Sequence, residues 1–165
     1  METIKCIKER RTIRQYKDKD IPKEILMDLI GCARLAPSAN NKQPWEFIVV
    51  TDKERLREIA SYCPYGSFIK DAGACIIVLG HKENRHSIED CCIASTNIIL
   101  SAWDYGIGSC WVAAYKKEFT KPIQEIIGMP DKFEIISILS LGYPARKVEP
   151  HDKRGLDELI HWENF

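Results

Sequence analysis

Apolar positions along the chain fall either at three-to-four-residue spacing or in short runs rich in aromatic and β-branched side chains, and these two patterns set out the elements. Residues 2–9 predict a short helix. Over residues 22–36, "PKEILMDLIGCARLA", Ile25, Leu26, Leu29, Ile30 and Ala33 form the stripe of an amphipathic helix, and Pro22 suits its first position. Residues 45–51, "WEFIVVT", are aromatic and β-branched and predict a strand. A helix over 53–61 follows, then a Gly/Pro/Tyr loop, then a strand over 74–80, "ACIIVLG". Residues 87–105 are apolar on nearly every face, broken by Ser95, Thr96 and Asn97 and by acids near both ends. A helix of that kind lies in a domain core or between subunits. A strand over 109–113, a helix over 119–127 and a strand over 134–141 complete the series. Gly128 fits the residue just past a helix end, and Pro130 prevents continuation. Residues 142–165 are mostly irregular, with one helical turn near 156–160.

Helices and strands mix without strict βαβ alternation, so the predicted class is α+β. No repeat, low-complexity segment or linker divides the 165 residues, which read as a single domain over 1–165. Composition acts mainly by exclusion. Lys+Arg and Asp+Glu are 24 each, so the chain lacks the broad basic excess that phosphate-backbone binding uses. The N-terminal stretch is charged from Glu2 onward, and no window approaches the roughly 18 apolar residues of a membrane span. A soluble, cytoplasmic protein with neither a nucleic-acid nor a membrane partner is expected. Cys6, Cys32, Cys63, Cys75, Cys91, Cys92 and Cys110 include no C-x-x-C pair, and no zinc or iron–sulfur spacing emerges. Reduced thiols that mostly fill core positions are expected, and no metal.

Three stretches could carry chemistry. "RRTIR", residues 10–14, groups Arg10, Arg11 and Arg14 with the Thr12 hydroxyl just after a helix. Guanidinium groups bind phosphate oxygens bidentately, although a solvated basic face at a helix end gives the same pattern. "PSANNKQPW", residues 37–45, offers uncharged donors and acceptors from Ser38, Asn40, Asn41 and Gln43. Such a set suits a planar heterocycle or a sugar-alcohol chain, and equally an ordinary turn. "GIGSCWVAAY", residues 106–115, carries small residues, and Ala113 and Ala114 would let a flat ligand approach the backbone. No G-x-G-x-x-G, P-loop, G-x-S-x-G or H-E-x-x-H occurs, and His81, His86, His151 and His161 lack metal-ligand helix spacing. Donors for phosphate and heterocycle without an evident acid, base or nucleophile point to a cofactor that performs the chemistry.

Taken in order, these stretches resemble the FMN-dependent nitroreductase family: "RRTIR" at 10–14, "APSANNKQPWEFIVV" at 36–50, "YGIGSCW" at 105–111, "IGMP" at 127–130, "LGYP" at 141–144 and the tail "RGLDELIH" at 154–161. The resemblance implies a central, mostly antiparallel sheet flanked by helices, in an intertwined homodimer with FMN at the subunit interface. It assigns Arg10, Arg11, Thr12 and Arg14, with Lys153 and Arg154 from the tail, to the phosphate, ribityl and pyrimidine end of FMN. Pro37, Ser38, Ala39 and Asn41 would line the isoalloxazine. Trp111, Val112, Ala113 and Ala114 would pass its dimethylbenzene and N5 edge, with the Ala114 backbone N–H bonding N5. The implied activity is ping-pong electron transfer from NADH or NADPH to a nitroaromatic, quinone or similar acceptor. Reductive dehalogenation, flavin breakdown, azoline oxidation and flavin binding without turnover are the alternatives. Thr12 stands for a usual Ser, Asn40 for a common Gly, Lys42 for a common Leu and Ala114 for a frequent Gly. The stretch "YCPYGSF" at 62–68 offers no counterpart to the helical excursion of larger members.

Overall fold

The structure, a computed structural model, describes residues 2–165. Four strands, β1 (Trp45–Val50), β2 (Ala74–His81), β3 (Gly108–Ala113) and β4 (Phe133–Gly142), form one antiparallel sheet in the order β1-β2-β4-β3. Five helices accompany it: α1 (Thr3–Glu9), α2 (Lys23–Ala33), α3 (Lys53–Tyr62), α4 (Ser87–Asp104) and α5 (Thr120–Ile126). Short 3-10 turns occupy Ala39–Asn41, Ser67–Asp71 and Leu156–Glu158. Among the described residues no helix is long and apolar enough to cross a membrane.

The central strands are buried on both faces, and their alternation feeds two cores. Ala74, Ile76 and Val78 of β2 join Leu139 and Leu141 of β4 under α2 and α4, with Leu26, Leu29, Ala94 and Ile98. Cys75, Ile77 and Leu79 join Ile135 and Ile138 under α3 and α5, with Leu56, Ile59 and Ile123. The register shifts between Val78 and Leu79, which pair with Ser137 and Ile135. Ile136 is therefore the extra residue of a bulge, and both it and Ser137 face α4, where Ser137 Oγ meets Ser95 Oγ at 2.8 Å.

Most predicted bounds hold to within one residue at each end; the exceptions lie at chain reversals. Pro22 precedes its helix as an extended residue (ψ 140°), and its carbonyl accepts from Leu26 N–H at 3.2 Å, so the proline caps α2 instead of opening it. The same helix stops at Ala33, short of the predicted bound at residue 36. Gly128 does end α5: it has φ +61°, its N–H reaches Glu125 O at 3.1 Å, and Met129 N–H reaches Gln124 O at 2.9 Å, a complete Schellman motif. Gly106 (φ +70°) ends α4 in the same way, with Ile107 N–H on Ala102 O at 2.9 Å. Of the apolar α4, one face packs on the sheet and α2. Another, carrying Ile93, Leu100 and Trp103, is only partly covered in a single chain.

Candidate functional site

The segment that follows α1 is seated by backbone pairing at one end of the sheet. Thr12 bridges Ser109 in parallel, and Ile13 N–H donates to Ser109 O at 2.9 Å. Tyr16 bridges Pro144 in antiparallel fashion, and Lys17 N–H donates to Tyr143 O at 2.8 Å. Ile13 is buried, which contributes about 1.5–3 kcal/mol to holding the segment. Two glycines make this seating possible. A Cβ on Gly108 would lie 2.3 Å from Ile13 Cγ1, and one on Gly142 would lie 2.6 Å from Tyr16 Cδ1. The Tyr16 hydroxyl donates to Ile13 O at 2.6 Å and meets Ser140 Oγ at 2.7 Å. Burial pushes this phenol well above its ordinary range, so it stays a neutral donor. "RRTIR", "GIGSCW" and "LGYP", far apart in sequence, thus meet at one place.

Arg10, Arg11 and Thr12 are half-buried there, and Arg14 is exposed. Arg11 Nη1 donates to Lys8 O at 2.8 Å and to Arg10 O at 2.9 Å, so part of this guanidinium closes the end of α1. The Arg14 Cζ lies 5.9 Å from the centre of the Phe68 ring. Arg14 also shares a hollow of about 610 Å³ with Gln15, Lys53, Arg57 and Lys70. Lys53 is held between Asp18 (3.9 Å) and Asp20 (3.8 Å), whereas Lys70 forms no ion pair among the described residues. Phe68 and Lys70 were not legible as site residues. They lie in the short Ser67–Asp71 turn, inside a stretch that reads only as loop, and a lone cation there was the only signal.

The loop Pro37–Trp45 is built differently and lies elsewhere. The Asp90 carboxylate, buried in the first turn of α4, accepts from Ala39 N–H at 3.3 and 3.2 Å. Ser38 Oγ accepts from Gln43 N–H at 3.0 Å, and His81 N–H clamps Pro44 O at 3.0 Å. Asn40, Asn41 and Gln43 hold φ of 52°, 54° and 47°. Asn tolerates this left-handed region, and Gln43 adds strain that persists only where the surroundings impose it, as at ligand sites.

The two segments sit at opposite ends of α4. The loop is tied to Asp90, whereas Cys6 of α1, just before the arginines, donates Sγ to Leu100 O at 3.3 Å. Asp90 and Leu100 are separated by about 15 Å of helix rise. The loop also leads into edge strand β1, and the arginine segment pairs with edge strand β3. A single chain does not bring these groups together.

Along β3, Trp111 is half-buried against the α2/α4 core, while Val112 and Ala114 turn into the other core and Ala113 is exposed. The Ala114 methyl therefore occupies buried space and leaves the strand edge clear. Residues 151–165 are all exposed, Leu156, Leu159, Ile160, Trp162 and Phe165 included. Arg154 Nη2 bonds Glu158 O at 2.8 Å, within the tail, and Lys153 and Arg154 are both exposed.

All seven thiols are free, and five are buried. Burial pushes Cys63 up to about 11 and Cys91 up to about 12. Burial also raises Cys110, against the opposing pull of the Arg14 guanidinium. Such thiols are poor nucleophiles near neutral pH. No group of three or more His, Cys, Asp or Glu that could hold a metal occurs among the described residues.

A model of the Nitroreductase family matches residues 7–64 and 60–143. A protein of Archaeoglobus fulgidus, provisionally named NADH dehydrogenase/NAD(P)H nitroreductase, is 37% identical over 99% of both chains. An FMN-dependent nitroreductase of Clostridium difficile superposes with a TM-score of 0.90 at 34% identity, covering 98% of this chain and 99% of its own. An iodotyrosine deiodinase of Thermotoga neapolitana is 25% identical over 93% of this chain and 92% of its own.

Proposed function

The chain belongs to the nitroreductase family, and from that premise we propose that it is a homodimeric flavoenzyme that takes electrons from NADH or NADPH and passes them to a nitroaromatic, quinone or similar acceptor by ping-pong turnover. One observation carries this reading: one chain holds the two halves of a flavin-sized donor set apart, at the two ends of α4, so a second copy is needed to close the site.

The donor set suits FMN. Arg10, Arg14 and Lys70, with the Thr12 hydroxyl, supply cations and a neutral donor for a phosphorylated polyol. The strained, uncharged loop of the second copy, through Pro37, Ser38, Ala39 and Asn41, suits a planar heterocycle. Lys153 and Arg154 of the exposed tail add phosphate donors across the interface. When bound, FMN supplies the two-electron redox chemistry that the side chains lack. The protein's part is to bind and orient. The Trp111–Ala114 strand offers an open edge with the Ala114 backbone N–H as donor to N5. The loop excludes water from the opposite face.

The partly covered α4 face, with Ile93, Leu100 and Trp103, and the exposed Ile4 and Ile7 of α1 support the dimer. A halogenated acceptor is the second reading, favoured by the deiodinase relative. The test is an anaerobic visible spectrum of the purified protein with NADH and NADPH in turn. An oxidised-flavin spectrum that bleaches is expected, followed by recovery on adding a nitroaromatic or quinone. No flavin after FMN is added would overturn the reading, and recovery with halogenated phenols alone would select the second.

A further inference from the structure

A hollow of about 510 Å³ lies beside the Pro37–Trp45 loop and is lined from three separate segments. The loop contributes Asn40 and Lys42, the end of β2 contributes His81, and the turn into α4 contributes Glu83, Asn84 and Arg85. Ala39 is the only hydrocarbon side chain in its wall, so the hollow is unsuited to an aromatic or aliphatic ligand.

Its two full cations are not spent inside the protein. Lys42 and Arg85 form no ion pair among the described residues, with Glu83 or any other acid. Arg85 Nε donates to His86 Nε2 at 2.9 Å, which fixes the guanidinium and leaves its two terminal nitrogens uncommitted. The turn beneath is locked. His86 N–H bonds Asn84 Oδ1 at 2.9 Å, and Ser87 N–H bonds Asn84 O at 3.0 Å. A fixed guanidinium and a lysine facing one polar hollow match the oxygens of a phosphate.

We propose that this hollow binds the phosphate groups of the nicotinamide dinucleotide that donates electrons. The inference rests on the proposed function, because the loop assigned there to the flavin also supplies the Lys42 wall. Lys42 directly follows Asn41, so an anion held in this hollow lies next to the segment assigned to the flavin.

The holoenzyme is titrated calorimetrically with ADP and with 2′,5′-ADP, which carry phosphates and no nicotinamide. The same titrations are run on Lys42→Ala/Arg85→Ala and on Arg85→Lys. Both side chains are exposed, so the variants keep the fold. The wild type is expected to bind, the double variant about 10–100-fold more weakly, and Arg85→Lys in between. The KM for the dinucleotide should rise by a similar factor. Weakening confined to 2′,5′-ADP means that the hollow reads the 2′-phosphate, and weakening of both ligands means that it reads the pyrophosphate. Equal affinity of wild type and double variant, or no binding to wild type, overturns the proposal. Flavin reduction by a phosphate-free dihydronicotinamide separates the two claims. If it succeeds while nucleotide affinity is unchanged by the variants, only the hollow is discarded. If NADH, NADPH and the phosphate-free donor all fail, the proposed function falls and takes this inference with it.

Discussion

At the Leu100 end of α4 the arginine segment is held by main-chain pairing, two glycine seats and the buried Ile13. At the Asp90 end the loop is held by one carboxylate, one serine hydroxyl and three left-handed residues. The first arrangement is an extension of the sheet, so its stability is that of the sheet. The second is a local device whose shape depends on a few side chains, and it stores strain that packing at the first end does not need. A phosphate site tolerates mobile guanidinium heads on a rigid main chain. The loop commits its hydrogen bonds to fixing its own backbone, which is what the proposed contact with a flat ring requires.

The largest effect is expected on removing what neither end holds. Deleting residues 151–165 removes no buried side chain, so the single-chain fold should persist. Light scattering should instead show loss of the dimer, and the purified protein should lose most of its flavin. A truncated protein that remains a flavin-loaded dimer would show that the tail bridges nothing.

Gly108→Ala tests the rigid end. Its Cβ would press on Ile13, and urea unfolding should show a loss of about 1–3 kcal/mol together with weakened FMN binding. Gly106→Ala is the control, because its Cβ meets open space and only its positive φ is strained, at a cost of about 1 kcal/mol. Equal losses of FMN affinity in the two variants would mean that the seating of Ile13 is irrelevant to the site.

Asp90→Ala tests the end held by side chains. Ala39 N–H loses its acceptor, and stability should fall by about 1–2 kcal/mol. Amide exchange should quicken at Ala39 and stay slow at Ile13. Quickening at both would show that the two ends are not independent.

The smallest effect is confined to alkaline pH and separates the thiols of the two ends. Cys91, beside Asp90, is raised from an ordinary value of 9.0 to about 12 by burial. The folded chain keeps this proton where the unfolded chain loses it. Its contribution is therefore complete below about pH 9 and is lost as pH rises toward 12, by at most about 1.4 kcal/mol per pH unit. Cys91→Ala should flatten that slope in urea titrations. Cys110, pulled back by Arg14, should be less sensitive than Cys91, and equal slopes for the two would contradict the role given to the guanidinium.

Much of the fold and of the site chemistry is legible in the chain itself. The run "ACIIVLG" is legible from its short length and β-branched content, and α2 from its i, i+3/i+4 stripe. The bulge at Ile136, the cap role of Pro22 and the turn that presents Phe68 and Lys70 are not legible there. Each depends on what a partner element leaves unpaired. Nothing in the chain itself marks Gly108 and Gly142 as room for the protein's own Ile13 and Tyr16, a use that appears only when the segments are packed together.

Local periodicity and side-chain chemistry dictate the elements, the α+β class and the residue types offered by the candidate site. That the arginines and the loop lie at opposite ends of one helix follows from the packed fold alone. That separation is set by which strands pair and by the length of α4, quantities that no local stretch of the chain encodes.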